Sequence, residues 1–383
     1  MFDRLGRAFT FTAVMLLNVA IAIAVAEWGA GLWLKRLKAQ QPIYMLNYSD
    51  AEIGALYNTS EPARYRDVIA EGWRMGDTVY SPFVEYRMTP YRGSAFNITE
   101  DGYRPNRLSE QDLKRPGPKV FVFGGSTTMG SGVRDDETIP AGIERRLRAA
   151  GRTDVQVFNF GVVSYFSTQE MIALQRLLTA GVKPDVAVFV DGLNDFYYCT
   201  VPDQSSWYER LVQLTRARAR MPLGLELANR SNVVQLARAL GGDKSVTVRE
   251  WGSFCRGEDD VRRVVHRLDT NRRMIDAMAE RLGFQAILVQ QPVPTYSYDN
   301  AKRPVPVKDE MLSYHVNSKA GYPLMAAMRA EGKLWTRNLL WLAELEPQAN
   351  LNAYVDTVHY SPAFNDQIGA RIADEILQRG LQR

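Results

Sequence analysis

Lys119-Val-Phe-Val-Phe-Gly-Gly-Ser-Thr-Thr-Met-Gly130 opens as an apolar run and breaks into glycines around a serine. Residues 119–123 are apolar on successive positions, the pattern of a strand buried on both faces. The glycines let the backbone turn sharply behind it. Working outward, similar runs recur at 155–161 (VQVFNFG), 185–192 (DVAVFVDG) and 284–290 (FQAILVQ), with a weaker fifth at 351–356 (LNAYVD). Helical spacing fills the intervals. Ile139, Ile143 and Leu147 repeat one turn apart within 138–150. Ser167-x-x-Glu170 reads as a capping box ahead of Met171, Leu174 and Leu178. Residues 259–282 and 321–345 read as helices, and Ser361-Pro362 as the start of the last one. Strands alternating with helices give an α/β fold, with a mainly parallel sheet of about five strands between two helix layers.

The chain has 383 residues, 46% of them apolar, enough for a sizeable core. Its net charge of +4 is mild, and no nucleic-acid signature accompanies it. Cys199 and Cys255 form no CxxC pair, and His266, His315 and His359 lie too far apart in sequence for a metal motif. The chemistry is therefore expected to need no metal and no cofactor.

Residues 8–34 are almost continuously apolar, broken mainly by Asn18 and Glu27, with Arg4 and Arg7 before and Lys35, Arg36 and Lys38 after. About 20 such residues cross a bilayer as a helix. Ala24-Val25-Ala26 resembles a signal-peptidase site. The apolar run continues past it to Leu34, which favours an uncleaved anchor over a cleaved signal peptide. The basic flanks are nearly balanced, slightly against placing the main domain outside, and do not fix the orientation. Three segments follow: an N-terminal tail and anchor at 1–38, an irregular extension at 39–115, and an α/β domain at 116–383. An insertion at about 196–258 interrupts the α/β domain. It carries both cysteines and a basic run at Arg216, Arg218 and Arg220 that reads as a solvated face. The cysteines suit either a disulfide that ties down the insertion, in an oxidising compartment, or two buried thiols.

Ser126 stands where a strand ends, the rim at which open α/β sheets bind ligands. Its loop lacks the lysine of a phosphate-binding loop, since Ser131 follows Gly130, and it lacks the G-x-G-x-x-G spacing. Thr128 stands where the G-x-S-x-G elbow needs glycine. A serine hydroxyl needs a base to become a nucleophile. Asp356-Thr-Val-His359 supplies one, between the fifth apolar run and the last helix, and so on the same rim. His266 reads as a surface residue, and His315 sits in a loop without a readable role. Two more loops close at this rim, Asn159-Phe-Gly161 and Gly192-Leu-Asn194-Asp195. A glycine N–H and an asparagine amide suit the stabilisation of an oxyanion.

Taken together, Ser126, Gly161, Asn194 and the Asp356–His359 pair resemble the four sequence blocks of the SGNH (GDSL-like) hydrolases. The nucleophile block here reads Gly124-Gly125-Ser126 instead of Gly-Asp-Ser, as in membrane-anchored members, and Gly102-Tyr103-Arg104 matches a short element upstream in such proteins. The resemblance covers 119–379 apart from the insertion. It implies a flavodoxin-like three-layer fold and a Ser126–His359–Asp356 triad. It also implies an oxyanion hole made of the Ser126 and Gly161 amides and the Asn194 side chain. The expected activity is that of a serine esterase acting on a short-chain or carbohydrate O-acyl ester. O-Acyl transfer to an extracellular polysaccharide is the first alternative, and a non-catalytic carbohydrate-binding or assembly role the second. The expected partners are an ester-bearing substrate, acylated carbohydrate among them, and the membrane through a single pass, with no nucleic acid. The resemblance puts the catalytic domain on the extracytoplasmic side.

Overall fold

A computed structural model describes residues 2–39, 48–72, 78–199, 231–240, 255–307, 312, 315–348 and 351–380. The chain divides into two compact units, residues 1–42 with 209–251, and residues 43–208 with 252–383. The basic run at Arg216, Arg218 and Arg220 lies outside the described residues.

In the first unit, helix α1 (Phe2–Ala39) contains the stretch Gly6–Leu34, long and apolar enough to cross a membrane. It runs unbroken through Ala24–Ala26. The unit also contains a short helix, Asn232–Leu240, packed on α1.

The second unit is built on strand β1 (Lys119–Gly124), followed by helices α2 (Ser126–Met129) and α3 (Ile139–Ala149). Next come β2 (Gln156–Asn159), α4 (Ser167–Thr179), β3 (Val186–Asp191) and α5 (Leu193–Tyr197). With Asn232–Leu240 of the first unit numbered α6, the chain continues through α7 (Glu258–Leu282), β4 (Gln285–Gln290) and α8 (Val316–Ala330). It ends with β5 (Leu339–Trp341) and α9 (Pro362–Arg379). The sheet is parallel throughout, in the order β2-β1-β3-β4-β5. Strand order reverses between β1 and β3, and in such sheets that crevice receives the ligand.

The sheet's two faces are chemically different. Val120, Val122, Val157, Val186, Val188, Ile287 and Val289 face α3 and α9. Phe121, Phe123, Phe158, Phe189 and Leu288 face α4 and α7. This is the expected consequence of apolar runs with a side-chain period of two. Each fully buried aliphatic or aromatic side chain stabilises by about 1.5–3 kcal/mol. Helices α3 and α9 meet at two glycines. A Cβ on Gly142 would lie 3.1 Å from Asp366 Cα, and one on Gly369 would lie 2.7 Å from the Ile139 carbonyl oxygen.

Three sequence readings need correction. Residues 351–356 are not the fifth strand; they make one bridge, Tyr354 to Tyr360, and the sheet closes with Leu339–Trp341. The helix read at 321–345 is Val316–Ala330, and the chain then turns into β5. Ser167 is not an N-cap. Phe166 holds that position, and the Ser167 hydroxyl donates to Asp195 Oδ1 at 2.6 Å. The last helix starts as read, with Ser361 Oγ accepting from Phe364 N and proline following it.

The upstream extension holds short elements on this body, namely helices Asp50–Tyr57 and Pro62–Gly72 and two small hairpins between Thr78 and Ile98. Cys199 and Cys255 are joined in a disulfide across 56 residues. Reducing it is expected to lower the unfolding free energy of the full chain by about 2–4 kcal/mol, since the bridge restricts the unfolded ensemble. Denaturant titration with and without dithiothreitol reads this directly; coincident curves would show that the bridge contributes nothing.

Candidate active site

Ser126 begins α2 immediately beyond β1, with Gly125 as the N-cap. At the first helical position its N–H has no acceptor within the helix. Gly130 ends α2 in the left-handed region at φ 90°, where a Cβ would come within 2.5 Å of Thr138 Cγ2. The turn that presents Ser126 is thus specified at both ends by glycine.

Asp356 and His359 arrive on the loop between β5 and α9. The Tyr354–Tyr360 bridge closes this loop, with Val355 N donating to the His359 carbonyl at 2.9 Å. Asp356 Oδ1 accepts from Val358 N at 2.9 Å and His359 N at 2.8 Å. Its other oxygen, Oδ2, lies 2.6 Å from His359 Nδ1. His359 Nε2 lies 2.8 Å from Ser126 Oγ. Ser126 and the Asp356–His359 pair, 233 residues from Ser126 to His359, thus form one hydrogen-bonded line. Burial alone would raise the Asp356 pKa. The His359 ring and the two backbone donors outweigh it and hold the carboxyl below its ordinary range. An ionised Asp356 accepts the Nδ1 proton, which leaves Nε2 as the acceptor facing Ser126 Oγ.

Arg303 braces the loop from behind. Its guanidinium donates to the Asp356 carbonyl at 2.6 Å and the Thr357 carbonyl at 3.0 Å, and lies over the Tyr354 ring. His315, without a readable role in the sequence, sits near His359 and Asp356. Its pKa is pushed down to about 4, by burial first and then by His359, with Asp356 opposing. It is neutral at physiological pH and packs beside Tyr197 with ring centroids 6.1 Å apart.

The two other rim loops converge on the serine. A Cβ on Gly125 would lie 2.1 Å from Asn194 Nδ2, so the Asn194 amide reaches the residue adjoining Ser126. One Asn194 N–H is spent on the Tyr165 carbonyl at 2.7 Å, leaving the second. Gly161 must be glycine, because a Cβ there would lie 2.3 Å from Met129 N in α2. Its N–H, however, donates to Asn159 Oδ1 at 3.0 Å. The expected donor is at the right place but already engaged. Asn159 Nδ2 in turn donates to the Thr128 and Met129 carbonyls at 3.1 and 3.3 Å, so one asparagine joins β2 to α2.

Residues without an obvious sequence signal support this set. Arg104 is fully buried beneath α2. Its guanidinium donates to Asp135 Oδ1 at 2.8 Å and to the carbonyls of Met129, Gly130 and Val133 at 2.9, 2.7 and 2.7 Å. Thr127 Oγ1 donates to Gln291 Oε1 at 2.9 Å across the crevice. Behind Asn194 lie buried Glu170, Asp191, Asp195 and Arg272. Burial, followed by the neighbouring carboxylates, raises the pKa of both Glu170 and Asp191. The Gly-Tyr-Arg element of the resemblance was the one clue to Arg104. Gln291 and Arg272 carried no motif, and Glu170 was read only as part of a capping box.

The sequence profile of the GDSL-like lipase/acylhydrolase family matches residues 122–319, slightly more than half of the chain. The chain belongs to that family. This GDSL-like protein is an ester-bond hydrolase. The matched span contains Ser126, Gly161 and Asn194, while Asp356 and His359 lie beyond it. Among solved structures it is similar to the lipase/acylhydrolase from Enterococcus faecalis, at 17% identity and a TM-score of 0.35 over 70% of this chain and 99% of that one. It is also similar to an acetyl xylan esterase, at 12% identity and a TM-score of 0.37 over 67% and 99% of the two chains. The psychrotrophic esterase EstA from a Pseudoalteromonas species gives 11% identity and a TM-score of 0.35 over 68% and 97%. A search of curated proteins returned no match.

Proposed function

We propose that this GDSL-like hydrolase cleaves an O-acyl ester through an acyl-enzyme on Ser126. The observation that carries the reading is the line from Ser126 Oγ through the His359 ring to Asp356, at 2.8 and 2.6 Å. His359 Nε2 takes the hydroxyl proton as Ser126 Oγ attacks the ester carbonyl. Asp356 balances the imidazolium that forms. The tetrahedral oxyanion is held by the Ser126 N–H and the free N–H of Asn194, with the Gly161 N–H joining once it is shared between Asn159 and the oxyanion. His359 returns its proton to the departing alcohol. Water, deprotonated by the same ring, then releases the acid and frees Ser126.

The reading extends to a short-chain or carbohydrate O-acyl ester. The disulfide supports a body on the extracytoplasmic side, because such bonds persist in oxidising compartments. The uninterrupted α1 supports an uncleaved single-pass anchor. The reading also divides the chain into an anchor at 1–38, an extension at 39–115 and an α/β domain from 116, while residues 209–251 cluster with the N-terminal unit.

Incubating the full-length protein in detergent with a fluorophosphonate tests the nucleophile. The expected result is one adduct, on Ser126, with loss of p-nitrophenyl acetate turnover in proportion to labelling. Labelling elsewhere, or turnover that survives complete labelling, would overturn the assignment. Asn194→Ala is expected to lower kcat by about 10²–10³, the usual cost of one oxyanion donor, with KM little changed.

A further inference from the structure

Glu27 is the one acidic residue inside the apolar span Gly6–Leu34. An uncompensated carboxylate in hydrocarbon is costly, so a charge at this position needs a partner. It has one in the first unit of the chain. The backbone N–H of Asn232 donates to Glu27 Oε2 at 2.6 Å, the Ser231 hydroxyl donates to Oε1, and Asn232 Nδ2 donates to the Glu27 carbonyl at 3.2 Å. Glu27 therefore caps the N-terminus of α6 from a neighbouring helix, where unpaired N–H groups and the helix dipole favour an anion.

The face of α1 that receives α6 is built for close approach. Glu27, Ala30, Gly31 and Leu34 follow one another at helical spacing. A Cβ on Gly31 would lie 3.0 Å from Asn232 Nδ2, and Ala30 and Leu34 are buried. Most other described residues of the apolar span are exposed, including Trp28 and Trp33 at the same level. Tryptophans near the end of an apolar span are enriched at the bilayer–water boundary. The span of 29 residues is about 43 Å long as a helix, more than the roughly 30 Å hydrocarbon core, so its last turns extend into the boundary zone.

On α6 itself, Val233, Ala237 and Leu240 stand at i, i+4 and i+7 and are all exposed, Val233 at 41% and Leu240 at 63%. An apolar stripe left uncovered on a helix already packed against a membrane span needs an apolar environment. The lipid already surrounding α1 supplies that environment continuously.

We propose that α6 is a second membrane element, an interfacial helix clamped to the anchor by Glu27, with its Val233–Ala237–Leu240 stripe against lipid acyl chains. An anchor that grips through two helices resists extraction better than one span. The inference rests on α1 spanning the membrane and is independent of the proposed ester chemistry.

The test uses the full-length protein in phosphatidylcholine vesicles. Leu240→Cys and, separately, Leu16→Cys carry an environment-sensitive nitrobenzoxadiazole label. Nitroxide lipids spin-labelled near the headgroup or deep in the acyl chain serve as quenchers. The Leu240 label is expected to emit as in an apolar medium and to be quenched most by the shallow nitroxide. The Leu16 label is expected to be quenched most by the deep one. Quenching at 16 with water-like, unquenched emission at 240 would overturn the proposal while leaving the span in place. A label at 240 that is shielded but unquenched, with shielding lost as protein is diluted into excess lipid, would show that a second copy covers the stripe, and would also overturn it. Glu27→Leu should abolish shallow quenching at 240 and preserve deep quenching at 16; unchanged quenching at 240 would refute the clamp.

Discussion

Replacing Ser126 with alanine is expected to lower kcat toward p-nitrophenyl acetate by roughly 10⁶, with the fold retained. The magnitude is the usual loss when a serine nucleophile is removed and binding and oxyanion groups remain. It corresponds to about 8 kcal/mol of barrier. The retention of fold follows from the site. Ser126 Oγ has His359 Nε2 as its partner, and the residue's structural bonds run through the backbone, its carbonyl accepting from Gly130 N and Ser131 N at 2.9 and 3.0 Å. Alanine preserves these bonds and is the better helix former. His359 keeps Asp356, so its orientation survives the substitution. Turnover and thermal denaturation of the pair give the comparison. Turnover persisting in Ser126→Ala would remove the serine mechanism. Loss of turnover with a collapsed melting temperature would instead make Ser126 structural.

The sequence was most legible where one physical requirement dominated. Val120 to Phe123 are apolar on consecutive residues because both faces of β1 are covered, and the register with Val186–Val190 follows from that. Asp356 and His359 were readable because their spacing of three lets one carboxylate bond both the ring and the backbone of a tight loop. Readings failed where a tertiary partner overrode a local signal. Ser167 has the spacing of a capping box, but Asp195, 28 residues away, takes its hydroxyl. Leu351–Asp356 looks like a strand because Asn352–Val355 are buried, yet Ala353 and Tyr354 pack in the core beside α9 and the segment pairs at one point only. Strand β5 has three residues, too few for any period to show. Gly161 was located from its loop, but the engagement of its N–H by Asn159 depends on a side-chain rotamer that no pattern encodes. Glu27 looked like a blemish in an apolar span. Its partners lie more than 200 residues later, where no local reading reaches.

Arg104 leads to the second large effect. Arg104→Ala is expected to destabilise the protein by about 3–5 kcal/mol, the cost of removing one partner of a buried ion pair. Asp135 is as buried as Arg104, at 1% and 0% side-chain exposure. It would keep Arg107, at 3.0 Å but half exposed, and Asn97, and lose its one buried cation. The carbonyls of Met129, Gly130 and Val133 would lose their guanidinium donors together, at the turn that ends α2. Ser126 stands one turn away, so that turn's freedom becomes the freedom of the Ser126 hydroxyl. A misplacement of about 1 Å costs on the order of 10² in rate. The expected kinetic signature is therefore a fall in kcat with KM little changed. Arg104→Lys separates charge from geometry. Lysine keeps the positive charge opposite Asp135 but lacks the planar fork that reaches three carbonyls and a carboxylate at once. It should recover most of the stability and little of the kcat. Equal recovery of both would mean that charge alone holds the turn. An Arg104→Ala protein within 1 kcal/mol of the parent would mean that Arg107 and Asn97 already suffice for Asp135, and that α2 is held by Asn159 and its own glycines.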